Sequence, residues 1–193
     1  MSRYWLALGL CIFLAACGGS KAPPSNLDNA CSIVAQRPSF LRAMKRTERR
    51  WGAPVHVQMA FFHQESRFNG KARTPYRWSL GVIPMGRASS AYGYAQAIDS
   101  TWSEYKRVAG RAGAKRTNFH DASDFMGWYM DLTYQRNGVS KSDARRQYLA
   151  YHEGHNGYKR GSYRSKSWLL NVSEKVERRA AMYKGQLRRC NKI

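Results

Sequence analysis

Phe61-Phe62-His63-Gln64-Glu65-Ser66-Arg67-Phe68 places a single acid among aromatic neighbours in a strongly basic chain. On a helix, residues three and four positions apart share a face, so Phe61, Phe62 and Phe68 surround Glu65, with Val57 a turn further back. Burial against apolar rings disfavours a carboxylate, and a Glu in such a niche gains about two pKa units. A carboxyl still protonated near neutral pH can hand its proton to a leaving oxygen. The alternative is a partly exposed helix-end Glu that caps a solvated turn, and the stretch alone leaves both open.

Outward from this stretch the pattern is helical. Phe40, Leu41, Met44 and Trp51 predict an amphipathic helix from Ser39 that ends at Gly52. Pro54 suits the first turn of the next helix, which carries Glu65 and stops near Asn69-Gly70. That helix is expected to be central. Residues 71–92 hold Pro75, Gly81, Pro84, Gly86 and paired serines without a helical period, and read as a long loop of the functional kind. Thr101-Trp102-Ser103-Glu104 fits a capping box, and Asp121 or Ser123 fits the cap of a following helix. Ser140 opens another, through Ala144, Tyr148 and Tyr151 to a stop at Gly154, after which a Gly- and Tyr-rich loop spans 154–165. Trp168, Leu169, Val172, Val176, Ala180, Tyr183 and Leu187 mark a last helix. No segment alternates with period two, and there is no internal repeat. The expectation is a mainly α single domain over residues 29–193.

The N-terminus reads as a targeting segment. Arg3, the apolar run Tyr4 to Leu14 and then Ala15-Ala16-Cys17 make a secretory signal too short to span a bilayer comfortably. Leu14-Ala15-Ala16-Cys17 resembles the lipobox of bacterial lipoproteins. That resemblance implies cleavage after residue 16 and acylation of Cys17, with residues 17–28 as a lipidated, flexible tether. An ordinary cleaved signal with a chance cysteine is the alternative. Gly18, rather than Asp, after the cysteine points by analogy with lipoprotein sorting to the outer membrane. Cys11 leaves with the signal, so Cys31 and Cys190 remain as an even pair in an oxidising compartment. A disulfide there would contribute on the order of 4 kcal/mol; two free thiols are the alternative. No CxxC or HxxxH spacing supports a metal site.

Without Arg3 the chain keeps 32 basic residues against 12 acidic ones, a net charge of +20. Such a field gathers polyanions. For an exported protein the polyanion within reach is peptidoglycan with its peptide carboxylates. Nucleic acid is not expected as a partner, because the basic residues are scattered through all segments and no nucleic-acid motif is present.

Three short motifs follow one another: Glu65-Ser66 on a helix, Tyr92-Gly93-Tyr94-Ala95-Gln96-Ala97 before the helix near Thr101, and Ala150-Tyr151-His152-Glu153-Gly154 at a helix end. In this order, over about residues 50–160, they resemble the lytic transglycosylases of the lysozyme-like superfamily. The SLT domain of that family runs helix-Glu-Ser, a Gly-x-x-Gln turn and an Ala-Tyr-Asn-x-Gly turn. The resemblance implies a lysozyme-like helical domain with Glu65 as the only catalytic acid and base and no cofactor. It places Ser66 beside Glu65 in the sugar groove, with Gly93 and Tyr94 in the tight turn there. Gln96 is implied to hydrogen-bond the glycan, and Tyr151 to orient the Glu65 carboxyl through its hydroxyl. Structural alternatives stand beside each role: Ser66 as a solvated helix serine, Gln96 as a backbone-bonding turn residue, Tyr151 as a core aromatic.

Two departures from the family pattern matter. Glu65 and Gln96 lie 31 residues apart, longer than the family usually shows, so residues 71–92 read as an insertion bordering the groove. His152 stands where the family has Asn, which leaves its role in substrate binding open. Glu153 beside it is either paired with a local basic residue or a second acid. The family's reaction cleaves the MurNAc-GlcNAc β-1,4 bond and leaves a 1,6-anhydro end, with one carboxylate where most glycosidases use two. A hydrolytic muramidase using Glu153 or Asp99, and a non-enzymatic wall-binding lipoprotein, are the rival readings.

Overall fold

The structure, a computed structural model, describes residues 22–80 and 82–193. The signal at 1–16, Cys11, the lipidation site Cys17, Gly18 and the tether up to residue 21 lie outside the described residues, as does Gly81.

Among the described residues the helices are α1 (Ala30–Gln36), α2 (Pro38–Trp51), α3 (Val55–Ser66), α4 (Asp99–Val108), α5 (Phe119–Asn137), α6 (Ala144–Arg160) and α7 (Ser167–Arg189). A 3-10 turn, Ser162–Ser165, links the last two. Two short antiparallel strands, β1 (Tyr76–Ser79) and β2 (Ile83–Arg87), form the only sheet among those residues. The mainly α, lysozyme-like expectation holds.

α3 is the axis. It packs against α2, α5, α6 and α7, and Val57, Met59, Ala60, Phe61 and Phe62 are fully buried. A helix that is apolar on nearly every face has to be enclosed, and the surrounding helices do so. Its depth is set by a buried polar network: Gln58 Nε2 donates to the carbonyls of Met44 (3.0 Å) and Ala53 (2.8 Å). Gln58 Oε1 accepts from Ser123 Oγ, which also bonds Thr47 Oγ1. Buried polar groups are costly unless partnered, so this network fixes α2, α3 and α5 in one register. Gly127 of α5 lets that helix close on α2, since a Cβ there would sit 2.4 Å from Thr47 Cγ2.

Several element boundaries differ from the sequence reading. α1, capped by Asn29, was not anticipated. α3 ends at Ser66 because Arg67 and Phe68 both turn left-handed, at φ 50° and 58°. α4 begins at Asp99, so Thr101 lies within it and caps nothing. Asn118, rather than Asp121 or Ser123, caps α5, accepting from the amides of His120 and Asp121. α6 begins after Asp143, whose side chain accepts from the Arg146 amide. It then passes through Gly154 with a kink (φ 71°, ψ 158°) and continues to Arg160. The expected stop is therefore a bend, and the expected loop at 154–165 is helix to Arg160 followed by the 3-10 turn Ser162–Ser165. The hairpin β1–β2 within 71–92 also goes beyond the loop reading.

Candidate active site

Glu65 occupies the last turn of α3, where the helix meets a cleft of about 540 Å³. Three chain segments converge on that cleft. The 93–97 turn contributes Gln96 and Ala97, α6 contributes Tyr151, His152 and Glu153, and α5 contributes Phe125 and Tyr129. Thr74, Ser89 and Ala91, at the root of the 71–92 segment, complete one wall. The fold thus gathers Glu65, Gln96, Tyr151 and His152 around one space.

The surroundings of Glu65 are apolar, although their make-up differs from the sequence expectation. Phe61 faces this side, meeting the rings of Tyr148 and Tyr151 edge-on at centroid distances of 5.3 and 5.6 Å. Phe62 and Phe68 instead join Phe40 and Phe119 in a separate buried cluster. For Phe68 the left-handed break after Ser66 is the cause, because beyond it the residue no longer follows the helical period. Burial pushes the Glu65 carboxyl up to about 7, with a hydrogen bond from the Tyr148 hydroxyl pulling weakly the other way. Tyr148 itself is held far above its ordinary range, first by burial and then by the neighbouring Glu65 charge.

The resemblance implies that Tyr151 orients the acid, and the hydrogen bond to Glu65 comes from Tyr148 instead. Tyr151 still lines the cleft with Glu65, whose charge, after burial, raises the Tyr151 hydroxyl well above its ordinary range. The Tyr151 hydroxyl donates to the Ala95 carbonyl, tying α6 to the 93–97 turn, while its ring stands edge-on to Tyr129 at 4.9 Å. Tyr148 lies three residues earlier on the same helix face, and that spacing is the signal that could have found it.

Other residues are also relocated. Ser66 is buried and donates to the Phe62 carbonyl (3.2 Å), one turn back along the helix, so it neither lines the cleft nor faces solvent. Tyr94 is buried too, with its ring edge-on to Phe40 and Phe119 and over Gly70, away from the cleft. Both lose their expected contact with sugar because backbone bonds and ring packing claim them first. Gly93 takes φ 79°, and a Cβ there would lie 2.3 Å from the Arg116 carbonyl oxygen. The turn closes through Gly93 N–H to Ala72 O (3.0 Å) and Tyr94 N–H to Arg116 O (3.2 Å). Gln96 Nε2 donates to the carbonyls of Ala72 (2.9 Å) and Gly93 (2.8 Å). Its two N–H groups are thereby used, which leaves Oε1 as the atom to meet a ligand.

The other carboxylates near the cleft are committed. Burial works to raise the Glu153 pKa, but hydrogen bonds from Lys166, Ser162 and His152 outweigh it and draw it down to about 2. Lys166 Nζ lies 2.8 and 3.0 Å from its two oxygens. Asp99 is exposed outside the cleft and pairs with Arg116. His152 lines the cleft, with Nδ1 3.1 Å from Glu153 Oε1 and its ring edge-on to Trp168 at 5.0 Å. Among the described residues, no group of three or more His, Cys, Asp or Glu side chains is placed to hold a metal ion.

A helical domain whose central helix brings one elevated-pKa acid to an aromatic-lined cleft has the architecture of the lysozyme-like class. A profile described as the transglycosylase SLT domain matches residues 5–190, and the chain belongs to that family. The match runs well past residues 50–160 at both ends. The family is one of lytic transglycosylases, which makes peptidoglycan the substrate. Comparison with curated proteins returns no match.

Proposed function

We propose that this protein cleaves the MurNAc-GlcNAc β-1,4 bond with Glu65 as its sole acid and base, leaving 1,6-anhydro-MurNAc ends. The observation that carries the reading is the contrast between two carboxylates on one cleft. Glu65, raised to about 7, retains a proton to give; Glu153, lowered to about 2 and held by Lys166, has none. Most glycosidases that hydrolyse use a second free carboxylate across the scissile bond, either as nucleophile or to activate water.

In the reaction, the Glu65 proton passes to the departing GlcNAc oxygen as its bond to MurNAc C1 breaks. The substrate's own N-acetyl oxygen supports the electron-poor C1, as in glycosidases that use substrate assistance. The ionised Glu65 then takes the proton of the MurNAc 6-hydroxyl, whose oxygen bonds C1. Glu65 ends protonated as it began, and no water is consumed. Tyr148 steadies the carboxyl by its hydrogen bond, and Tyr151 ties the Gln96 turn to α6 through the Ala95 carbonyl. The same proposal places the protein in the periplasm, attached through acylated Cys17 to the outer membrane.

Muropeptides released from sacculi by the purified protein test this. Mass spectrometry should find anhydro ends with the wild type, falling about 10³-fold with Glu65→Gln. Reducing ends in place of anhydro ends would establish hydrolysis, and equal release by both proteins would leave a wall-binding role without catalysis.

A further inference from the structure

The hairpin β1–β2 stands apart from the domain it grows out of. Neither strand packs on a helix, and its side chains are exposed on both faces. Yet Tyr76, Trp78, Leu80, Val82, Ile83 and Met85 all project from it into solvent, Leu80 at 89% exposure and Val82 at 74%. A lone two-stranded hairpin is marginal in water, and a contiguous apolar surface without a partner usually marks an interaction site.

The chemistry of the hairpin selects its partner. The aliphatic tip offers hydroxyl-rich glycan nothing to hydrogen-bond, since the only polar side-chain groups among those six residues are the Tyr76 hydroxyl and the Trp78 N–H. The segment also carries four cations: Arg77 on β1 between the two aromatics, Arg87 over the Tyr76 ring at 4.4 Å, and Lys71 and Arg73 before the hairpin, Arg73 over the Tyr92 ring at 3.8 Å. No acidic residue occurs between Glu65 and Asp99. A second copy of the chain would bring two such sets of cations together and be repelled. An aliphatic tip, a Trp and a Tyr on the strand behind it, and cations among and behind the aromatics match an anionic bilayer: acyl chains, interface, headgroups.

Reach is compatible. Four residues lie between Cys17 and Ala22, whose carbonyl accepts from Arg37 Nη2 (2.7 Å), so an acylated Cys17 stays within about 18 Å of Ala22. From Pro75 to the tip at Leu80 an extended strand covers about 17 Å, a similar span.

We infer that the 76–87 hairpin is a second membrane contact, burying its tip in the surface of an anionic phospholipid bilayer. The cleft would then be held at a fixed height and facing above that surface. For delivery to a membrane this rests on the lipid-anchor reading above; for the insertion itself it does not.

The test uses the purified mature chain on vesicles of phosphatidylethanolamine and phosphatidylglycerol whose acyl chains carry bromine, which quenches nearby indoles. Quenching is expected, and Trp78→Phe removes it. Leu80→Asp with Val82→Asp lowers insertion about tenfold or more, so Trp78 is no longer quenched, while cleavage of glycan strands in solution stays at the wild-type rate. Asp suits the left-handed φ of 51° at position 80, so the double variant keeps its hairpin. Quenching that survives Trp78→Phe, or that the double variant retains, overturns the inference. So does a double variant that loses retention on sacculi while Trp78 is still quenched. Glu65→Gln leaves the quenching unchanged, and the mass of the mature chain reports acylation of Cys17 separately.

Discussion

Glu65 works, on the reading proposed here, because its protonated form is the stable one in its niche. The proton is present below a pKa of about 7 and is lost above it. Cleavage at saturating glycan should therefore hold steady on the acid side and fall about tenfold per pH unit on the alkaline side of about 7. Burial sets where that limb lies, and Tyr148 draws it back. Its hydrogen bond favours the charged carboxylate, so Tyr148→Phe removes a force that lowers the pKa. The variant should show the alkaline limb displaced to higher pH, together with a rate reduced about tenfold through loss of carboxyl orientation. A pH profile of anhydro-end formation measures both. A limb that stays in place, with only the overall rate reduced, would reduce Tyr148 to a packing residue.

Among the elements, the 93–97 turn is where the cleft is most exposed to damage. Gly93 combines a positive φ with contact so close that an added methyl would press on the Arg116 carbonyl. Gly93→Ala should destabilise the protein by about 2–3 kcal/mol, from strain and overpacking together. It should also weaken glycan binding, because Gln96 takes its position from the Gly93 and Ala72 carbonyls. Urea unfolding gives the first effect and the KM on solubilised strands the second. The sequence made this turn legible, since a glycine three residues before a glutamine is a local feature. The niche of Glu65 was half legible: Phe61, four residues back, could be counted along a helix. Phe68 could not, because a left-handed break takes two residues and leaves no mark in composition. That Tyr148 hydrogen-bonds the acid was beyond reach for another reason. Tyr148 and Tyr151 both lie on one stripe of α6, and which hydroxyl meets the acid depends on how α6 seats against α3 and the 93–97 turn. Gly154 carries the same ambiguity, since a glycine that ends a helix and one that bends it look alike in sequence. The hairpin escaped because both its faces are exposed, which removes the alternation that betrays a half-buried strand.

On the scale of the whole molecule, the two ends of the folded chain are tied together beside the axis helix. Cys31 of α1 and Cys190 after α7 form a disulfide with their Cα atoms 6.3 Å apart, across 159 residues of sequence. Around it, the Ala30 amide donates to Gln186 Oε1 (2.7 Å), Gln186 Nε2 donates to the Asp28 carbonyl (2.8 Å), and Arg179 pairs with Asp28. α7 also packs along α3, so whatever holds α7 in place supports the helix that carries Glu65. A cross-link closing so long a loop acts mainly by restricting the unfolded chain, by about 4 kcal/mol or somewhat more. Cys31→Ser with Cys190→Ser should therefore lower the melting temperature by about 10 °C while the native hydrogen bonds keep α1 on α7. Reductant should shift the wild type by a similar amount and leave the double variant unchanged. At 25 °C the double variant should still form anhydro ends near the wild-type rate, because loop closure acts on the unfolded chain and the folded cleft depends on packing that the cysteines do not supply. Loss of activity at 25 °C in a variant that remains folded would mean that the bridge positions α3 directly.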